Sequence, residues 1–145
     1  MPDMPASERI VVRPAQFADY KIIREYDEFL GDRRLDIQRR ELLVADLGDE
    51  RAVGFLKATA SAFLDRPLVE LLCVAQALRR RGVATRLLEA ACKHYRGCQI
   101  YLTTEESNGN MRRLLDAIGW ANVGYIDGFN ISGERELIYR TGQWM

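Results

Sequence analysis

The chain is 145 residues long and carries one histidine, three lysines, three cysteines and no long apolar run. Each scarcity excludes something. The single His94 has no metal-binding partner at a helical or turn spacing, so no metal site is expected. Cys73, Cys92 and Cys98 are odd in number and form no CxxC pair; they read as reduced thiols of a cytoplasmic protein. No stretch reaches the roughly 18 apolar residues of a membrane span, and Met1 to Glu8 lacks the apolar core of a signal peptide. A soluble, cytoplasmic chain without a membrane partner is expected. Net charge is zero, with 21 basic and 21 acidic side chains. That balance argues against a nucleic-acid partner, whose affinity rests on a basic surface releasing counterions. Lysine is confined to Lys21, Lys57 and Lys93, so the other 18 basic residues are Arg. Either the genome favours Arg codons, which covers most of them, or some Arg residues grip anions bidentately.

What is present fits a globular domain. Apolar residues make up 48% and charged residues 29%. A chain of this length buries about two-thirds of the surface its unfolded form exposes and needs no staple. Residues 1–7, with two prolines, read as a loose tail. Residues 8–145 read as one domain, and nothing in them decides between a monomer and a homodimer.

The hydrophobic period then organises the chain. Glu8 to Arg13 is a β-branched run closed by Pro14, hence a strand. Ala15 to Leu30 places Phe17, Tyr20, Ile23, Tyr26, Phe29 and Leu30 at three/four spacing, which predicts an amphipathic helix ended by Gly31. Asp32 to Arg40 is a charged stretch, a short helix or a loop. Glu41 to Leu47 and Ala52 to Ser61 are strand-like runs around a Gly48–Arg51 hairpin turn. A connection at Ala62 to Pro67 precedes the apolar run Val69 to Val74, which contains one charge, Glu70. Gly82 to Tyr95 reads as a helix, Gln99 to Thr103 as a strand, and Asn110 to Ile118 as a helix ended by Gly119. Trp120 to Ile126 and Glu136 to Arg140 read as the last strands. The order predicts an α/β (α+β) protein: one mixed, mostly antiparallel sheet of about seven strands with helices on both faces.

The chemically informative stretch runs from Leu72 to Thr85. A buried strand ends in a turn, then Arg79-Arg80-Arg81-Gly82-Val83-Ala84 opens a helix. First-turn amides of a helix lack intrahelical partners and sit at the positive end of its dipole. Gly82 and Ala84 leave room for a bulky anion to approach the backbone. A pyrophosphate fits that description; a solvated Arg-rich turn fits the spacing equally well. Neither a Walker A loop nor a GxGxxG fingerprint is present.

Arg79-x-x-Gly82-x-Ala84 after Leu72-Cys73-Val74 resembles motif A of the GNAT superfamily of acyl-CoA-dependent N-acetyltransferases. Asn108 to Trp120 is similar to the family's second motif, an Asn, a helix and Gly-Phe, with Trp120 in the Phe place. The resemblance runs from Glu8 onward, and the two motifs together are more specific than either alone. It implies a GNAT-like fold and acetyl-CoA as cosubstrate, with no metal. It further implies that Arg79, Arg80, Arg81, Gly82, Val83, Ala84 and Thr85 hold the CoA phosphates. Leu72, Cys73 and Val74 would line the pantetheine, and Asn108 with the face Met111, Leu114 and Leu115 would flank the thiol end.

Acetylation of an amine needs a base for the ammonium proton and an acid for the departing thiolate. Glu70 is the candidate base, as the one charge among Leu68, Val69, Leu71 and Leu72; burial there would raise its pKa. The other reading of Glu70 is a strand residue on a wet face. The family's usual acid, a Tyr four residues before the Gly, is Leu115 here. Tyr125 and Tyr139 are the candidates to replace it, against ordinary half-buried packing for both. The implied acceptor pocket, Tyr20 to Arg40 and Tyr125 to Glu136, mixes both charge signs in the manner of a solvated face. It does not choose among a small amine, an amino-acid derivative and a protein amine. Two functions follow: an acetyl-CoA-dependent N-acetyltransferase acting by direct attack, or a CoA-binding sensor with little turnover, the latter motivated by Leu115.

Overall fold

The computed structural model describes residues 9–141, so the expected tail lies outside the described residues. Strands form at Val11–Pro14 (β1), Leu42–Asp46 (β2), Ala52–Phe63 (β3), Arg66–Val74 (β4), Tyr101–Glu105 (β5), Ala121–Ile126 (β6) and Glu136–Arg140 (β7). Helices occupy Tyr20–Ile23 (α1), Arg34–Gln38 (α2), Val83–His94 (α3) and Gly109–Ala117 (α4). The strands make one seven-stranded mixed sheet in the order β1-β2-β3-β4-β5-β7-β6. β4 and β5 run parallel, while β1–β2, β2–β3, β5–β7 and β6–β7 are antiparallel. The expected mixed α/β sheet is therefore the observed one. Pro14, which lacks a donor, is tolerated as the last residue of the edge strand β1.

By compactness the chain divides into two units, the first formed by the residues up to Ala58 with Leu71–Lys93, the second by Thr59–Glu70 with His94 onward. In the first unit, Ile23 and Ile37 from α1 and α2 join Leu42, Val44, Ala52, Phe55 and Cys73 in a buried cluster. Gly54 lies on the other side of β3, where Val83 and Leu87 of α3 approach. Helices thus cover both faces here. The alternation is reset by a bulge in β3: Ala45 faces Gly54 while Asp46 faces Ala52, leaving Val53 as the extra residue.

In the second unit, β3 and β4 run further than their sequence pattern suggests. The predicted connection over Ala62–Pro67 shrinks to Leu64 and Asp65, at φ 50° and 67°. Two consecutive left-handed residues make the two-residue turn whose twist matches antiparallel strands. Phe63 stacks on Tyr101 at 4.7 Å between centroids. Helix α4 ends as its Gly119 predicts. Gly119 takes φ 86°, its amide donates to Asp116 O at 3.2 Å and Trp120 N donates to Leu115 O at 2.9 Å.

The predicted helix Ala15–Leu30 is corrected. A 3-10 turn at Phe17–Asp19 leads into α1, which ends at Ile23. Beyond it Asp27 takes over. Its carboxylate accepts Phe29 N at 2.9 Å and Arg33 Nε at 3.0 Å, giving the backbone an alternative to the helical ladder. Phe29 and Leu30 stay exposed, so continuing the helix would bury nothing, and Leu30 turns to φ 51°. Of the two readings of Asp32–Arg40, the short helix is the one that forms.

Candidate active site

The β4–α3 loop leaves the sheet where the β3 bulge holds it: Ala75 N donates to Val53 O at 2.8 Å. A 3-10 turn at Gln76–Leu78 follows. Arg79 is extended, Arg80 is left-handed at φ 65°, and Gly82 sits at φ 83°. A non-Gly residue in that region carries a cost on the order of 1 kcal/mol, so the loop's shape is imposed by what surrounds it. Arg86 N donates to Gly82 O at 3.0 Å. The amides of Val83, Ala84 and Thr85 therefore precede the helical ladder and sit at its positive end. The side chain of Val83 is buried, whereas Gly82, Ala84 and Thr85 are half-buried. Gly82, Val83 and Ala84 carry no polar side-chain atom, so toward an anion these three can offer only backbone amides.

The three arginines are not equivalent. Arg80 and Arg81 are exposed. Arg79 is engaged: its Nε donates to Val74 O at 3.2 Å, and its Nη2 is paired with the carboxylate of Glu28. Along β4, Leu72 and Val74 are half-buried while Cys73 turns into the core. The Cys73 thiol donates to Tyr26 O at 3.5 Å, and burial pushes its pKa up. It remains a thiol and can offer a ligand only its backbone.

The segment after α1 holds what the charge pattern concealed. Asp27, Arg33 and Asp36 are 5%, 7% and 7% exposed, so these three leave a run whose other charges are solvated as expected. Arg33 Nε donates to Asp27 at 3.0 Å, Arg33 Nη1 to Asp36 at 3.3 Å, and Lys57 Nζ lies 3.1 Å from Asp36. The Arg33 guanidinium also sits 5.7 Å from the Phe55 ring centroid. Only the i,i+3 spacing of Arg33 and Asp36 is readable from sequence. Tyr26, half-buried, donates its hydroxyl to Ala52 O at 3.0 Å, and desolvation keeps it protonated.

In the second unit, Glu70 is exposed between Val69 and Leu71 of β4, so the burial expected for it is corrected: the strand turns it to the wet face. Asn108 caps α4, its Oδ1 accepting Met111 N at 3.2 Å. Met111 and Leu114 are half-buried, but Leu115 is 0% exposed and lines no ligand surface. Tyr139 is 1% exposed and equally out of reach. Tyr125 is 51% exposed, with the Arg135 guanidinium 4.2 Å from its ring centroid. Among the described residues there is no group of three or more His, Cys, Asp or Glu side chains able to hold a metal, and no helix long and apolar enough to cross a membrane.

A mixed seven-stranded sheet whose fourth strand runs through a glycine-bearing loop into the N-terminus of α3 is the frame of an acyl-CoA-dependent transferase. The model of the acetyltransferase (GNAT) family matches residues 9–120, and the chain belongs to that family. No curated protein matches the sequence. Among solved structures, a GNAT-family acetyltransferase from Bacillus cereus aligns with a TM-score of 0.82 and 26% identity, over 94% of this chain and 99% of that one. The ribosomal-protein alanine N-acetyltransferase of Escherichia coli aligns at 0.72 and 16%, over 94% and 95%. Naa50 of Arabidopsis thaliana, in complex with the bisubstrate analogue CoA-Ac-MVNAL, aligns at 0.73 and 16%, over 93% and 99%. The last two share the fold.

Proposed function

We propose that the protein transfers an acetyl group from acetyl-CoA to a primary amine by direct attack in a ternary complex, residues 8–145 acting as one catalytic domain. The observation that carries this is the β4–α3 loop, where Gly82 at φ 83° delivers the unladdered amides of Val83, Ala84 and Thr85. They hold the pyrophosphate, with Arg79, Arg80 and Arg81 on the remaining phosphate charge. Leu72, Cys73 and Val74 receive the pantetheine through their backbone, and Asn108 and Met111 flank its thiol end. The complexes of neighbours with CoA-containing analogues support the same cosubstrate.

Glu70 is the base in this reading. Its exposure on β4 suits a carboxylate that takes the ammonium proton through water. The free amine then attacks the thioester carbonyl, the tetrahedral oxyanion collapses, and the thiolate leaves. Tyr125 is the proton donor for that thiolate, because Leu115 has no proton to give and Tyr139 is buried. The second reading, CoA binding with little turnover, rests on the same Leu115. Thiol release from acetyl-CoA, measured over a panel of small amines, amino-acid amides and peptides, separates the two. Release above hydrolysis with at least one acceptor is expected. A flat panel from protein that still binds CoA selects the sensor, and absence of CoA binding overturns both.

A further inference from the structure

Building on the reading of the β4–α3 loop as a phosphate site, we propose that Glu28 is that loop's internal counter-anion, displaced from Arg79 when a ligand phosphate binds. The Arg79 guanidinium is held from two sides. Its Nε donates to the carbonyl of Val74, the last residue of β4, at 3.2 Å. Its Nη2 faces the Glu28 carboxylate. With Nε anchored at the strand end, Nη2 is the donor turned to an anion, and a carboxylate and a phosphate compete for it.

Glu28 is placed there by its neighbours. Two residues earlier, the Tyr26 carbonyl accepts the Cys73 thiol and the Tyr26 hydroxyl reaches Ala52 O. One residue earlier, Asp27 is fixed by buried Arg33. The backbone on which Glu28 stands is therefore tied to β3, to β4 and to α2, and the carboxylate meets Arg79 as a consequence of the fold. The pair itself is weakly held, since its side chains are about half exposed (47% for Arg79, 58% for Glu28). Arg80 and Arg81 follow Arg79 in the chain and lead into the start of α3, so the loop carries positive charge. A single carboxylate neutralises part of that charge without the ligand. A ligand bearing several phosphate charges outcompetes it, and a simple monoanion has less to gain by the exchange.

The test is titration calorimetry of CoA into the full chain and into Glu28→Gln, Arg79→Gln and the double variant. Glu28→Gln is expected to bind CoA roughly two- to fivefold more tightly, the range an exposed ion pair spans. Arg79→Gln is expected to bind more weakly, and adding Glu28→Gln to it is expected to change nothing. Glu28→Ala, which also removes the carboxylate, serves as the second variant and is expected to reproduce the gain. Unchanged or weaker binding by both Glu28 variants overturns the proposal, as does an equal gain with Arg79 absent. If the unaltered protein gives no CoA binding, the phosphate-site reading itself falls, whatever Glu28 does.

Discussion

Gly54 on β3 lies against Val83, the residue that opens α3: a Cβ added at Gly54 would stand 2.9 Å from Val83 Cγ1, 3.2 Å from Cys73 O and 3.3 Å from Leu87 Cδ1. The missing side chain is what lets the helix start close to the sheet, and the helix start is what aims the amides of Val83 to Thr85. A core contact thus sets the geometry of the proposed anion site. Gly54→Ala is expected to cost about 1–3 kcal/mol as α3 is pushed off, and to weaken CoA binding more than its loss of stability explains. The comparison is Gly119→Ala, where nothing lies within 4 Å of the new Cβ but φ is 86°. That variant should lose about 1 kcal/mol through backbone strain and leave CoA affinity unchanged. Denaturant midpoints with calorimetric Kd values for both decide it; equal effects on affinity would sink the link between packing and site.

Arg13 ties β1 to the turn before α1 and to β2. Its Nη1 and Nη2 reach the Asp19 carboxylate at 2.8 and 2.9 Å, and its Nε reaches Asp46 at 2.8 Å. Burial alone would raise the Asp19 pKa. The hydrogen bonds from Arg13 and from the Gln16 amide, together with the charge of Arg13, more than offset that and hold it below the ordinary value. A carboxylate depressed on folding stabilises above its unfolded pKa of about 3.9 and loses that contribution as pH falls through the folded value. Stability measured by urea is therefore expected to decline below about pH 4, and Asp19→Asn to show a shallower decline. At neutral pH, Asp19→Ala should cost on the order of 3 kcal/mol, because Arg13 and the Gln16 amide lose a partner. An acid profile unchanged by Asp19→Asn would contradict this.

Removing Arg33 leaves two buried carboxylates, Asp27 and Asp36, without their shared cation. Arg33→Met is expected to destabilise by about 3–5 kcal/mol and to open to proteolysis the Asp27–Arg33 segment, in which Phe29 and Leu30 are already exposed. Urea denaturation and timed digestion test this. Arg33→Lys should recover part of the loss, since it restores the charge but not the fork that spans both partners. If the Met variant is as stable as the unaltered chain, the network is ornamental.

The strands were legible because their β-branched and apolar runs are punctuated by Gly and Pro, and the start of α3 because Gly82 and the following helix period stand together. The first helix was misread for a specific reason. Phe29 and Leu30 continue a helical period, but they have no core to meet, and Asp27 diverts its side chain to Phe29 N and Arg33. The hairpin turn at Leu64–Asp65 carries no Gly or Asn to announce its two positive φ angles. The Asp27–Arg33–Asp36 network and the Glu28–Arg79 pair are long-range or loop-dependent; spacing along the chain carries no trace of which charge in a mixed run becomes buried. Glu70 illustrates the reverse case, a charge inside an apolar run that the strand simply turns outward.

That outward position makes the proposed role of Glu70 testable by pH. If its carboxylate takes the ammonium proton, Glu70→Gln should lower kcat/KM for the acceptor by about a hundredfold near neutrality. The deficit should shrink at alkaline pH, where more of the amine is already deprotonated and the base has less to do. Binding of CoA should stay the same, because the carboxylate meets the amine and not the phosphates. Tyr125→Phe keeps the ring beneath Arg135 and removes only the hydroxyl. As proton donor to the thiolate it should lower kcat with little change in KM, and the loss should persist at alkaline pH instead of shrinking. A Glu70→Gln loss that is constant across pH assigns the residue to structure or acceptor binding. Full activity in both variants would leave thiolate departure and amine deprotonation to solvent, and the named acid and base would both be wrong.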